Sequence, residues 1–165
     1  MTTATTPVNT AKTTDRRKLR FGSVADLRAE VERVAAAERA GTLRRSGNWT
    51  AGQVFGHLAT WIDFLWTPNP LKPPWIVRWI VRRRKNKYFN EGLPAGVRIP
   101  RVEGGTLGTA PLSLDDGLNR LRAAIDRLER EAPTQPSPVF GPLTHEDGIK
   151  LNLRHAELHL SFLHP

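Results

Sequence analysis

The sequence contains no cysteine, and it has no apolar run long enough to cross a lipid bilayer. The absence of cysteine excludes disulfides, thiolate metal ligands and cysteine nucleophiles, so any metal ion must be held by histidine and oxygen ligands. A membrane-spanning helix needs about 20 mainly apolar residues, and the N-terminus lacks the charged-then-apolar order of a secretory signal. We therefore expect a cytoplasmic protein, and we expect no membrane partner.

The length of 165 residues and the hydrophobic content of 39% are typical of one domain with its own core. The basic, Thr-rich residues 1–22 are predicted to be a flexible segment, and residues 23–165 are predicted to form the single domain. The net charge of +9 is unevenly distributed, because residues 1–22 contribute +4 and residues 72–101 contribute +8. The remaining framework is neutral to slightly acidic, which argues against nucleic acid as a partner.

Four segments have apolar residues at the alternating three- and four-residue spacing of amphipathic helices. Capping residues and helix breakers bound these segments, which run from Ser23 to Gly41, from Thr50 to Pro68, from Ser113 to Pro133, and from Thr144 nearly to the C-terminus. No segment shows the alternation of a strand. Four amphipathic helices can bury their apolar stripes only against one another. The sequence therefore predicts an all-α protein, a four-helix bundle.

The stretch between the second and third helices, residues 68–112, is rich in proline and in basic residues. Within it, the segment from Trp75 to Lys87 begins with largely apolar residues and continues with Arg82-Arg83-Arg84-Lys85. We expect a short extra helix that lies over the bundle as a solvated cover. The alternative is that its cations attract an anionic substrate or membrane phosphates.

Three histidines are predicted to point into the protein on helical wheels of about 100° per residue. His155 and His159 are one turn apart on the fourth helix, and such a pair lies within about 5–6 Å between Cβ atoms. His57 faces inward on the second helix. Neutral imidazole is a common metal ligand, and three protein ligands with an open position are typical of catalytic zinc. These positions predict a divalent-metal site; the alternative is a set of separately hydrogen-bonded core histidines.

The remaining titratable residues of the fourth helix are not expected to take part in this site. The run from His155 to His159 differs from the metalloprotease H-E-x-x-H pattern, because its acidic residue is Glu157. Glu157 is predicted to point to solvent, where it cannot serve as a base at the site. His145 and His164 are predicted to lie exposed at helix ends.

Three stretches carry a wider similarity, namely Gly47-Asn48-Trp49-Thr50-Ala51-Gly52-Gln53 followed by Gly56-His57-Leu58, then Val139-Phe140-Gly141-Pro142-Leu143-Thr144, and finally Arg154-His155 to His159-Leu160. Their order resembles the DinB-like (YfiT-like) metal-binding four-helix-bundle superfamily, and specifically a bacterial branch of it. The resemblance covers about residues 17–163, and its most specific element is one early histidine followed by a late HxxxH. It implies that His57, His155 and His159 hold the metal. Members of the branch often carry histidine where this sequence has Ser137 and Leu160.

The resemblance also implies an activity, since relatives in this superfamily include transferases and isomerases that use low-molecular-weight thiols such as bacillithiol or mycothiol. We therefore expect a metal-dependent thiol transferase or isomerase that acts on a small molecule, with zinc or nickel and with a thiol as co-substrate. Gln53 and Asn152 would orient substrate or solvent, and Trp61 would wall the pocket. For Gln53 and Trp61, a helix cap and ordinary core packing are the alternatives. The alternative functions are a metal-dependent hydrolase and a non-catalytic metal-binding or stress protein. This last protein could form a homodimer.

Overall fold

The chain is mainly helical in the computed structural model, which describes residues 7–165. Residues 1–6 of the predicted flexible segment lie outside the described residues. In chain order the elements are α1 (Val24–Ala40), β1 (Arg44–Arg45), α2 (Ala51–Asp63), α3 (Trp75–Arg83), α4 (Lys85–Glu91), α5 (Leu114–Arg130), α6 (His145–Leu160) and β2 (Leu163–His164), with a single 3-10 turn at Glu103–Gly105. The predicted all-α class is confirmed for this part of the chain. None of the helices between residues 7 and 165 is both long and apolar enough to cross a membrane.

The four long helices begin at the capping residues that the sequence predicted. The side chains of Ser23, Thr50 and Thr144 each accept a hydrogen bond from the backbone N–H of the third residue of the helix. The side chain of that third residue in turn accepts a hydrogen bond from the backbone N–H of the capping residue. Ser113 caps α5 in the same way through one such bond. At its other end, α1 stops at Gly41, whose φ of 73° is left-handed and favours glycine. Local hydrogen bonds therefore set where these helices begin and end.

One hydrophobic core joins α1, α2, α5 and α6. Its tightest backbone contact is between α2 and α5, where Gly52 and Gly117 face each other. A Cβ atom added to Gly117 would lie 2.4 Å from the carbonyl oxygen of Gly52, and one added to Gly52 would lie 2.4 Å from the carbonyl oxygen of Leu112. Only glycine permits this approach. The close packing of α2 fixes the position of His57, which lies further along the same helix.

Glu157 on α6 is buried, whereas the sequence predicted that it points to solvent. Glu157 is only 7% exposed, and its carboxylate accepts a hydrogen bond from the backbone N–H of Phe21 at 2.6 Å and pairs with Arg154 at 3.0 Å. Residues 16–21, which the sequence analysis assigned to the flexible segment, pack against the C-terminal half of α6, with Arg17 donating to the carbonyl of Leu160. The prediction for Glu157 was wrong because a helical wheel does not show which segment covers a face.

The insertion between α2 and α5 contains two short helices, where the sequence predicted one. α3 and α4 meet at Arg84. α4 is anchored by Phe89, which is buried with its ring centroid 5.2 Å from that of Phe140, and by Lys85, which pairs with Asp147 at 2.7 Å. In contrast, none of the nine residues of α3 is buried. α3 therefore contributes no side chain to the core.

A short antiparallel ladder of β1 and β2 joins the segment after α1 to the C-terminus, although the sequence showed no strand. Two-residue strands are too short to produce an alternating pattern. His164 belongs to this ladder and is partly buried, with its Nε2 3.1 Å from the hydroxyl of Ser46. His145 is also partly buried, with Nε2 2.8 Å from the carbonyl oxygen of Leu128. The prediction that both histidines are exposed was wrong, because each end of α6 packs against another segment.

Candidate metal centre

Three histidines from two helices converge in the core. Nε2 of His57 on α2 lies 3.2 Å from Nε2 of His155 and 3.2 Å from Nε2 of His159, both on α6. The three candidate ligand atoms all lie within 4.8 Å of one another. His57 is completely buried, whereas His155 and His159 are partly buried. The structure thus brings together the three residues that the sequence singled out, close enough to share one ion.

The nitrogen–nitrogen distances fit a metal ion with imidazole ligands. Zinc–nitrogen bonds are about 2.0–2.1 Å long, so two ligand nitrogens at a tetrahedral angle lie about 3.3 Å apart. The two distances of 3.2 Å at His57 agree with this value. A hydrogen bond between imidazoles has a similar length, but the single lone pair of a neutral Nε2 can fully accept only one N–H. A shared cation satisfies both contacts at once.

The backbone carbonyl of Leu107 sets which nitrogen of His57 carries the hydrogen. Nδ1 of His57 lies 2.7 Å from this oxygen. Because a carbonyl oxygen only accepts, Nδ1 must donate, and Nε2 keeps its lone pair towards His155 and His159. Such a bond from the second ring nitrogen is typical of metal-binding histidines, whose tautomer and orientation it fixes. The loop between α4 and α5 therefore completes the site.

Burial keeps the three imidazoles neutral. It lowers the pKa of His57 from its usual 6.5 to about 4, while the bond to Leu107 acts in the opposite direction. Burial also lowers the pKa values of His155 and His159 well below 6.5, and the neighbouring imidazoles lower them further. Neutral imidazole is the form that binds a metal ion, and a lowered pKa reduces competition from protons. At neutral pH the site is ready to accept a cation.

Two tryptophans wall the cluster. The ring of Trp49 stacks on His159 at a centroid distance of 5.2 Å and an interplanar angle of 14°, and it lies 4.9 Å from the ring of His57. Trp61 meets His155 edge-on at 5.5 Å, and its buried indole N–H has no hydrogen-bond partner among the described residues. Trp61 lies beside the site as the sequence predicted. Trp49 was not predicted as a site residue, although it lies directly before the cap of the helix that carries His57 and within the first stretch that resembles the DinB-like superfamily.

Gln53 and Asn152, which were predicted to orient substrate or solvent, are both held by hydrogen bonds to the protein backbone. Oε1 of Gln53 accepts from the backbone N–H of Thr50 at 3.0 Å, and Nε2 donates to the carbonyl of Thr109 at 3.4 Å. Asn152 is 5% exposed, and Nδ2 donates to the carbonyl of Gly148 at 2.9 Å. These contacts give both side chains a structural role. A role at the site stays a prediction.

The described part of the chain adds no Asp or Glu to the histidine cluster. Glu157, between the two histidines of α6 in sequence, instead binds Phe21 and Arg154. The carboxylate that lies between the two histidines in sequence therefore holds the N-terminal segment against α6. All ligand atoms that this cluster offers to a metal are nitrogens.

The chain belongs to a family of proteins described as "protein of unknown function (DUF1569)", whose model matches residues 13–165. No curated protein and no solved structure matches the chain. The matched range contains the three histidines and both tryptophans beside them. It also contains residues 16–21, which pack against α6.

Proposed function

We propose that this protein binds one divalent metal ion, zinc or nickel, through His57, His155 and His159. The observation that carries the proposal is the convergence of three imidazole nitrogens, two of them 3.2 Å from Nε2 of His57. Zinc commonly takes four ligands, so three imidazoles leave a position open for a substrate. When bound there, the ion would supply Lewis-acid chemistry, lowering the pKa of a thiol or water that reaches it.

The proposal includes a DinB-like four-helix bundle as the architecture. Its support is the order of the ligands along the chain, with His57 on the second long helix and the pair His155 and His159 on the fourth. This order is the one that the resemblance to the DinB-like superfamily implies. The single core shared by α1, α2, α5 and α6 is also consistent with such a bundle.

As the reaction we propose transfer or isomerisation of a small molecule with a low-molecular-weight thiol as co-substrate. In this reaction Leu107 holds a proton on Nδ1 of His57, burial keeps all three imidazoles unprotonated, and Trp49 and Trp61 restrict water around them. The described residues supply no carboxylate base beside the histidines. That favours a thiol, with an ordinary pKa of about 8.5, over hydrolysis by water, which is far harder to deprotonate.

Metal binding is tested on purified protein loaded with zinc or nickel and then dialysed, with metal content measured by elemental analysis. We expect one ion per chain in the wild type and none in His57→Ala, His155→Ala or His159→Ala. Far-ultraviolet circular dichroism should show that the variants remain helical, because the helices are stabilised mainly by the apolar core. The matched control is His145→Ala, which removes a partly buried histidine of α6 outside the cluster and should keep the ion.

Full metal occupancy in His57→Ala would overturn a site shared by two helices. Collapse of helicity when the wild type is treated with a chelator would make the ion a structural one and would argue against catalysis. Activity is tested by incubating the metal-loaded protein with a panel of electrophiles, with and without small thiols. Thiol-dependent conjugation supports the transferase, ester hydrolysis without thiol supports the hydrolase, and neither activity in a fully loaded protein supports a metal-binding role alone.

A further inference from the structure

α3 presents an apolar surface that no other described segment covers. Its exposed side chains are large and include two indoles: Trp75 (75% exposed), Trp79 (51%), Ile76 (50%), Ile80 (41%) and Val77 (40%). None of the nine residues of the helix is buried. A contiguous exposed apolar patch of this kind usually marks a site where the protein binds a partner or a membrane.

α3 and its C-cap Arg84 carry cations that have no acidic partner among the described residues. Arg78, Arg82, Arg83 and Arg84 take no part in the ion pairs of residues 7–165, where the neighbouring Lys85 and Lys87 are paired. The guanidinium of Arg83 lies 4.3 Å from the ring centroid of Trp79. A shallow groove beside the helix is lined by Trp75, Arg78, Trp79, Arg82 and Arg83. The surrounding residues 72–101 have a net charge of +8.

The aromatic, aliphatic and cationic side chains are arranged as in a helix that lies in a membrane interface. At about 100° per residue, Ile76, Val77 and Ile80 share one face of the helix. Trp75 and Trp79 lie on the other side, where they line the groove together with Arg78, Arg82 and Arg83. In interfacial helices, aliphatic residues enter the boundary of the acyl chains, whereas Trp rings lie at the level of the headgroups and Arg and Lys reach lipid phosphates. At nine residues α3 is about 13 Å long, which suits lying on a bilayer and is far too short to cross one.

The attachment of α3 keeps this surface free and separate from the histidines. α4 follows α3 directly and is fixed to the domain by buried Phe89 and by the ion pair of Lys85 with Asp147. Asp147 lies in the first turn of α6, whereas His155 and His159 lie in its second half. Binding through α3 therefore does not require any metal ligand to move.

We propose that α3 binds the surface of an anionic lipid membrane, with Ile76, Val77 and Ile80 at the boundary of the acyl chains. Trp75 and Trp79 would lie at the level of the headgroups, with the arginines on lipid phosphates. The proposal departs from the sequence-based expectation of no membrane partner, because the structure leaves the apolar residues of the segment exposed. Nucleic acid matches the charge but gives no favourable environment to the exposed aliphatic residues. A second copy of the chain would bring two strongly basic segments together, which charge repulsion opposes.

The test uses the full-length protein with phosphatidylcholine vesicles, prepared with or without phosphatidylserine. Binding is measured by co-sedimentation and by the blue shift of tryptophan fluorescence. We expect at least about tenfold stronger binding to the vesicles that contain phosphatidylserine, and weaker binding as salt concentration rises. Trp75→Ser with Trp79→Ser should lower the amount of protein that co-sediments with these vesicles, and Arg78→Gln, Arg83→Gln and Arg84→Gln together should abolish the preference for phosphatidylserine.

The matched control removes the same charge elsewhere, through Arg45→Gln, Arg120→Gln and Arg130→Gln, and should bind like the wild type. Unchanged circular dichroism and metal content would show that the α3 variants are folded with an intact histidine cluster. Equal binding to both kinds of vesicle, or binding that survives the α3 changes, would overturn the proposal. So would a dimer seen by sedimentation that Trp79→Ser disrupts, or oligonucleotide binding without vesicle binding.

Discussion

Mild acid should destabilise the metal-free protein through its buried histidines. His57 is completely buried, and burial lowers its pKa to about 4 against the opposing effect of the bond to Leu107. In the unfolded chain the same imidazole has its usual pKa of about 6.5. As the pH falls below 6.5, this imidazole becomes protonated in the unfolded chain but stays neutral in the folded chain until the pH approaches 4. Protons therefore favour the unfolded state, and the free energy of unfolding falls.

The size of the effect follows from the two pKa values of His57. Between pH 7.5 and pH 5.5 they lower the free energy of unfolding by about 1.3 kcal/mol through this residue alone. The pKa values of His155 and His159 are shifted in the same direction and add to the loss. Burial raises the pKa of Glu157, so its carboxyl takes up a proton first in the folded state and offsets part of the loss. The pKa of Asp147 is lowered, so its contribution is lost only at lower pH.

The assay is urea unfolding of chelator-treated protein at pH 7.5, 6.5 and 5.5, followed by circular dichroism. The control variant His57→Asn keeps a polar side chain of similar size that does not titrate, and should show a pH dependence smaller by about 1.3 kcal/mol over the same range. A free energy of unfolding that is constant from pH 7.5 to 5.5, or equal slopes for wild type and variant, would refute a buried neutral His57. The same result would remove the argument that the site is ready for a metal at neutral pH.

Three further substitutions test the packing around the site. Gly117→Ala should destabilise the protein by roughly 1–3 kcal/mol in urea unfolding. The added Cβ would lie 2.4 Å from the carbonyl oxygen of Gly52, and this clash outweighs the gain in helix propensity of about 1 kcal/mol. Increased stability would contradict the close contact. Thr144→Ala removes the cap of α6 and should cost about 1 kcal/mol with metal content unchanged. Glu157→Ala removes both the acceptor of the Phe21 N–H and the partner of the buried Arg154, and should cost about 2–4 kcal/mol, again with metal content unchanged. Loss of the metal would instead assign Glu157 to the site.

The helices and the histidine pair were predictable because their signals are short-range. Thr50 and Thr144 bind backbone groups of their own first turns, so the helix starts are encoded within a few residues. His155 and His159 are one turn apart on any helix that contains them, and the apolar residues around His57 put it on the inward face of α2. These features need only the period of the helix and the preferences of single residues.

Tertiary structure alone decided how these elements meet. The carbonyl of Leu107 fixes the tautomer of His57 from fifty residues away, and Trp49 reaches His159 across the core. The N-terminal segment buries Glu157, whereas α3 stays exposed although its sequence is the more apolar of the two. A helical wheel gives the direction of each side chain relative to its own axis. Which surface is covered depends on contacts between residues that are distant in sequence, and no local pattern encodes that choice.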